Sequence, residues 1–140
     1  GGAFGAMLRV AGVGSAIQQS LGEGGQATGL VLLATGFIVA SVMKVAQGSG
    51  TVSMITTAGM LAAMNPTPEV LGFHPVYLAT AIGSGSVVGS WMNDSGFWVV
   101  ARMSGFTEVE TLKSWTVVLV LLGLTGFGLS MLLATTLPLV

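Results

Sequence analysis

The chain has 140 residues, of which 52% are hydrophobic and only 6% are charged, and its formal net charge is −1 at pH 7. A soluble domain carries about 25% charged residues, so this composition excludes a protein whose whole surface faces water. The small net charge provides no basic patch, which excludes electrostatically driven nucleic-acid binding. Since there is no Cys, disulfides and thiolate metal sites are excluded too.

Long charge-free segments separate the few charged residues. No Asp, Glu, Lys or Arg occurs within residues 24–43, 45–68, 70–93 or 114–140. An uncharged apolar stretch of about 18 or more residues is a candidate membrane span. The pattern therefore predicts an all-α polytopic membrane protein embedded in a lipid bilayer. The chain begins without Met and ends in apolar residues, and we expect it to be a fragment of a longer protein.

The first two segments differ in character. Residues 1–21 are rich in glycine and are interrupted by Arg9, which predicts an irregular, closely packed membrane helix. A turn is expected at residues 22–26. Residues 28–64 are apolar except for a small, polar and flexible middle at 44–51.

Two interpretations of residues 28–64 compete. One has two ordinary spanning helices joined by a short loop, and the other has a re-entrant helical hairpin with its tip at membrane depth. The second leg, residues 52–64, is only about 20 Å long at 1.5 Å per residue, which is too short for a hydrocarbon core of about 30 Å. The length favours the hairpin.

The remaining segments predict a broken helix and a final span. Residues 76–101 are apolar around a polar group at 90–96, where Asn, Asp, Ser and Gly favour turns, so we expect a discontinuous transmembrane helix. Residues 102–113 carry four of the nine charges. Thr107 and Glu110 form a capping-box pattern for a last transmembrane helix over 108–137. The positive-inside rule places the 102–113 segment in the cytoplasm, with 65–74 and the C-terminus outside.

The two polar interruptions predict a ligand site. Discontinuous helices expose backbone N–H and C=O groups at membrane depth, where they bind anions and cations. The candidate substrate-binding residues from the two interruptions are Gln47, Gly48, Ser49, Gly50, Thr51, Asn93 and Ser95.

Two charged residues lie beside these interruptions, and each has more than one interpretation. Asp94 is the only Asp of the chain, and a carboxylate within a membrane segment costs about 2.5–3.5 kcal/mol on insertion scales. It is either the proton-coupling group or merely the cap of a half-helix. Lys44 either offsets a substrate carboxylate or pairs with Asp94, or its side chain extends to the headgroups.

Catalytic constellations are missing from the sequence. An intramembrane serine protease needs a general base, and the single His, His74, lies beside a Pro in an expected loop. An aspartyl protease needs two Asp, and only one is present. We therefore expect no enzyme, no cofactor and no metal centre.

Four motifs resemble the C-terminal third of the gluconate permease family, which comprises bacterial proton symporters for gluconate and related sugar acids. They occur in the family's order and are Gly-Gly-Ala-Phe-Gly at 1–5, Ala-Gln-Gly-Ser-Gly-Thr-Val at 46–52, Asn-Asp-Ser-Gly-Phe-Trp at 93–98 and Thr-Leu-Lys-Ser-Trp-Thr at 111–116. The resemblance runs along the whole chain.

The resemblance implies an architecture similar to that of the dicarboxylate/sodium symporters. Those proteins have two inverted repeats, each with a re-entrant hairpin, and they assemble as dimers, so this chain would be one inverted-repeat half of a homodimeric protein. Their hairpin tip and broken helix bind the substrate carboxylate and the coupling ion, which correspond here to residues 47–51 and 93–95. Their tip reads Ser-Asn-Thr, whereas residues 48–51 read Gly-Ser-Gly-Thr.

The leading hypothesis is therefore proton-coupled uptake of gluconate or a related sugar acid across the bacterial inner membrane by a multi-pass symporter. The alternatives are a sodium-coupled carboxylate transporter and a non-transporting integral membrane subunit.

Overall fold

The computed structural model describes residues 29–62, 64 and 66–139, together with Met7 and residues 10–12. All regular elements of the described residues beyond residue 28 are helices. The glycine-rich membrane helix expected over residues 1–21 falls outside the described residues except at those four positions, and the turn expected at 22–26 falls outside them entirely.

Along the chain there is a pair of helices around residue 48, a single short helix, a second pair around residue 90, and a long C-terminal helix. They are α1 (Gly29–Gln47), α2 (Gly50–Ala62), the short α3 (Pro68–Leu71), α4 (Val76–Gly85), α5 (Ser95–Ser104) and α6 (Glu108–Thr136), with a π-helical turn in α6 at Leu112–Thr116.

Helices α1 and α2 fold back on each other. The Ser53 hydroxyl donates to the Ala40 carbonyl at 2.6 Å, which joins positions on either side of the turn. Only residues 48 and 49 are non-helical, so the polar segment expected to be flexible over 44–51 is mostly helical. The reason is local: Gly48 has φ +71° and its N–H donates to the Lys44 carbonyl at 2.8 Å, which is the glycine ending typical of a helix C-terminus.

The interruption between α4 and α5 lies earlier than the sequence predicts. The expected polar break covers residues 90–96, whereas the non-helical residues are 86–94. The Ser86 hydroxyl donates to the Gly83 carbonyl at 2.6 Å, and such local bonds compete with helix continuation. Ser95 and Gly96 are already helical because the Asp94 side chain caps α5.

Helix α6 packs along α4. It begins with the expected capping box, in which Thr107 and Glu110 exchange side-chain and backbone hydrogen bonds. Thr80 and Ser130 are joined by a hydroxyl contact of 3.0 Å. The Tyr77 hydroxyl donates to the Leu137 carbonyl at 2.6 Å, so the start of α4 and the end of α6 lie at the same end of the bundle.

Helix length distinguishes two groups. Helix α1 has 19 residues and α6 has 29, and both are apolar enough to cross a membrane. At 1.5 Å per residue they are about 28 Å and about 43 Å long, whereas α2 is about 20 Å and α4 about 15 Å. The membrane path that the sequence predicts for each of these segments stays a prediction.

The core lies where α4 crosses α1, and it depends on a residue without a side chain. A Cβ at Gly85 would collide with the Phe37 carbonyl and lie 2.9 Å from the Ala40 Cβ. The two backbones are therefore in direct contact. Aliphatic and aromatic side chains from α1, α2, α4 and α6 surround this crossing, among them Leu33, Leu61, Leu78, Ile82 and Ala134.

A matched pair of substitutions in α4 tests this packing. Gly85→Ala forces α1 away from α4, and we expect it to lower the free energy of unfolding by about 1–3 kcal/mol, the usual cost of overpacking. A Cβ at Gly83 meets nothing within 4 Å. Gly83→Ala is therefore the control, and it should leave stability unchanged or raise it by about 0.5–1 kcal/mol through helix propensity. Thermal unfolding of the detergent-purified protein measures both, and equal effects would contradict the close crossing.

Candidate binding site at the helix breaks

The two helix interruptions meet at an ion pair. The Lys44 Nζ lies 2.6 Å from the Asp94 Oδ2, and the side chains are 6% and 14% exposed. Lys44 occupies the last turn of α1 and Asp94 the residue before α5. Of the interpretations open at the sequence level, the contact that the structure shows for Lys44 is the pairing with Asp94.

Asp94 uses both of its carboxylate oxygens. Oδ2 accepts from Lys44 and from the Ser90 hydroxyl at 2.6 Å. Oδ1 accepts from the Gly96 N–H at 2.9 Å and so caps α5. Capping and ion pairing, which the sequence presents as alternatives for this residue, occur together.

A second set of bonds joins the turn after α1 to the loop before α5. The Val45 carbonyl accepts from the Trp91 indole at 3.0 Å and from the Asn93 amide at 2.7 Å. A Cβ at Gly48 would collide with the Asn93 carbonyl, so the two backbones touch there. The turn and the loop form one continuous surface.

Polar groups on this surface remain available for a ligand. The side chains of Gln47, Thr51 and Ser95 make no hydrogen bond within the described part of the chain, and all three are at least partly exposed. The Ser49 hydroxyl accepts from the Val52 N–H at 3.3 Å and is also partly exposed. Hydroxyl and amide groups of this kind match the hydrogen-bonding needs of a polyhydroxylated molecule.

The electrostatic surroundings of the pair are sparse. Lys44 and Asp94 form the only salt bridge among the described residues. The charged groups of α5 and α6 are exposed, namely Arg102, Glu108, Glu110 and Lys113. Among the described residues, the ion pair is thus a neutral unit whose two charges balance each other.

The site includes two residues that the sequence analysis did not select as ligands. Ser90 is fully buried and donates to Asp94, and its carbonyl accepts from the Thr116 hydroxyl at 2.5 Å. Thr116 ends the π-helical turn of α6, and such turns are frequent at functional sites. In the sequence, the only indication for Ser90 is that it lies four residues before Asp94. That spacing indicates a contact only once the loop geometry is known.

The described residues contain no group of three or more His, Asp or Glu that could hold a metal ion. His74 lies away from the breaks, where its Nδ1 accepts from the Val76 N–H at 3.2 Å.

An apolar cleft of about 350 Å³ lies between α2 and α4 and is lined only by apolar side chains, from Met54 to Pro66 on one side and from Pro75 to Ile82 on the other. It offers no polar side chain to a sugar acid. The candidate site is therefore the region of the ion pair, not this cleft.

Comparison with known families matches residues 1–136 to the GntP family permeases, and the chain belongs to this family. It is 38% identical over 130 residues, or 91% of the chain, to the inner membrane permease YgbN of Escherichia coli strain K12. It is 37% identical over 126 residues, or 90% of the chain, to the low-affinity gluconate transporter of the same strain. It is also 33% identical over 140 residues, or 94% of the chain, to a gluconate permease of Bacillus licheniformis.

The matches cover 27%, 27% and 31% of those three relatives, so the chain spans under a third of their length. No solved structure matches it.

A charge cycle tests the ion pair. Lys44→Met leaves the Asp94 carboxylate buried without its cation, and we expect it to lower the free energy of unfolding by on the order of 3 kcal/mol. Adding Asp94→Asn removes the unpaired charge and should restore most of that loss. The control is Lys113→Met, whose exposed side chain makes no ion pair with a described residue and should change stability by less than about 0.5 kcal/mol. Additive losses in the double variant, measured by thermal unfolding, would contradict a coupled pair.

Proposed function

We propose that the chain is part of a transporter that takes up gluconate or a related sugar acid across the bacterial inner membrane, coupled to protons. Membership of the GntP permease family supports transport, and the relatives named gluconate transporters and permeases support a sugar acid. The observation that carries the proposal is the buried ion pair between two helix interruptions. Ionisable residues within membrane segments are costly and usually functional, which supports a transport role for this pair.

The architecture in this proposal is one inverted-repeat half of a multi-pass homodimer. Residues 28–64 form a re-entrant hairpin and residues 76–101 a discontinuous transmembrane helix. Helix α6, about 43 Å long, matches a bilayer of about 40–45 Å including headgroups. Thr116 lies 20 residues before the end of α6, or about 30 Å. In this proposal the bond from Thr116 to Ser90 lies inside the hydrocarbon region, on the Glu108 side of the midplane.

Each site residue then has a role. Lys44 offsets the substrate carboxylate, and the backbone N–H groups of Gly50 and Thr51 at the start of α2 add positive potential. The side chains of Gln47, Ser49, Thr51, Asn93 and Ser95 hydrogen-bond the hydroxyl groups of the sugar acid. Asp94 carries the coupled proton.

Removing the titratable group tests the coupling. Asp94→Asn keeps the size and the hydrogen-bonding capacity of the side chain but cannot load and release a proton. We expect it to abolish accumulation of labelled gluconate by vesicles under a proton gradient while leaving exchange of gluconate across the membrane.

Glu108→Gln removes an exposed carboxylate and should keep full accumulation. Normal accumulation by Asp94→Asn would move the coupling group elsewhere in the protein. Accumulation that follows a sodium gradient in place of the proton gradient would favour the sodium-coupled alternative, and absence of any uptake by the unsubstituted protein would favour a non-transporting subunit.

Accessibility labelling tests the hairpin. Single cysteines placed near Gly25 and near Thr67 should react with an impermeant maleimide from one side of the membrane. A cysteine at the exposed residue Ala46 should react slowly, and gluconate should protect it, since the tip lies at depth. Labelling of the two ends from opposite sides would contradict the hairpin. Fast labelling at Ala46, as fast as at a loop position and unaffected by gluconate, would favour two ordinary spans.

A further inference from the structure

We propose that Lys44 exchanges partners during transport: it pairs with Asp94 in the empty site and with the substrate carboxylate when Asp94 is protonated. This inference rests on the proposed function, and it adds how a proton and a carboxylate come to bind together. The ion pair described above is then the closed, unloaded state of the anion site.

The first step concerns the donors of Lys44. An ammonium has three N–H donors, and two of them are used here, toward the Asp94 Oδ2 at 2.6 Å and the Gly48 carbonyl at 3.3 Å. The Gly48 bond holds the ammonium at the turn whether or not Asp94 is charged. A carboxylate ligand that approaches along the surface of Gln47 and Thr51 meets a cation that is already in place.

The second step concerns what protonation changes. A proton on Oδ2 removes the negative charge that faces Lys44. The protonated oxygen donates to the Ser90 oxygen, which lies 2.6 Å away and accepts as readily as it donates, because a hydroxyl rotates. Oδ1 keeps its bond from the Gly96 N–H, so the start of α5 stays capped. Asp94 is satisfied in both protonation states, whereas Lys44 loses its charged partner and the Ser90 hydroxyl loses Asp94 as its acceptor.

The third step is electrostatic. With Asp94 neutral, Lys44 is a cation that is 5% exposed, and no other acidic group of the described residues pairs with it. A buried unpaired charge costs several kcal/mol. An incoming carboxylate removes this cost, whereas a neutral sugar does not. Proton and carboxylate binding are therefore mutually favourable, and the chemical class selected is a carboxylate with hydroxyl groups.

The experiment measures the dissociation constant of gluconate as a function of pH, using the full-length protein reconstituted in vesicles. For the unsubstituted protein we expect the constant to rise about tenfold per pH unit on the alkaline side, because each bound gluconate requires one proton. Asp94→Asn imitates the protonated state. Its dissociation constant should not change with pH, and at alkaline pH it should be smaller than that of the unsubstituted protein. The neutral amide of gluconic acid should not compete in either protein.

Charge variants of Lys44 complete the test. Lys44→Gln should weaken gluconate binding by at least about 30-fold at every pH, and Lys44→Arg, which keeps the charge, should bind within about tenfold of the unsubstituted protein. Lys113→Gln is the control and should bind normally. The thermal stability of each variant is measured alongside, and Lys44→Arg remains informative if Lys44→Gln fails to fold.

The outcomes separate the two proposals. Proton-driven accumulation by the unsubstituted protein, combined with unchanged pH dependence in Asp94→Asn or normal affinity in Lys44→Gln, would overturn partner exchange alone. Gluconate binding without proton-driven accumulation would overturn the proton coupling. Absence of gluconate binding by the unsubstituted protein would overturn both.

Discussion

The contact between Lys44 and Asp94 is the interaction on which the other features of the site depend. It joins residues 50 positions apart and lies in a chain with only nine charged side chains. A single buried charge would be too costly to keep in such apolar surroundings. As a pair the charges are mutually satisfied, and the hydrogen bonds from Ser90 and Gly96 hold the carboxylate in a fixed orientation.

Small residues let the backbones on both sides of this contact approach each other closely. Gly48 brings the turn after α1 against the backbone of Asn93, and Gly85 brings α4 against α1. Gly123 does the same for α6 beside Ser84 and Val88. Apolar helices in lipid gain little from the hydrophobic effect on associating, so close backbone packing of this kind takes its place. These glycines thus allow the close helix packing that positions the polar site.

The sequence predicts the helical class, the capping box at Thr107 and the approximate places of both interruptions, because these follow from local patterns of charge, glycine and capping residues. It also identifies Lys44 and Asp94 as the charged residues beside the two interruptions. The bounds of the breaks were less predictable: α1 continues through Gln47 and α4 already ends at Gly85. Ser90 and Thr116 could not be selected as site residues, since their bonds depend on how the loop of residues 86–94 folds against α6.

The hydrogen bonds to the Val45 carbonyl limit how the candidate site can move. It accepts hydrogen bonds from both Trp91 and Asn93, while Thr116 bonds the same loop from α6. Any rearrangement that preserves these bonds carries the turn after α1, the loop and the first third of α6 as one rigid unit. A hinge at Gly48 would break contacts on both sides of the turn. In the proposed transporter, exposure of the site to the two sides of the membrane would therefore come from sliding this unit as a whole against the remainder of the protein, with the candidate binding surface unchanged in shape.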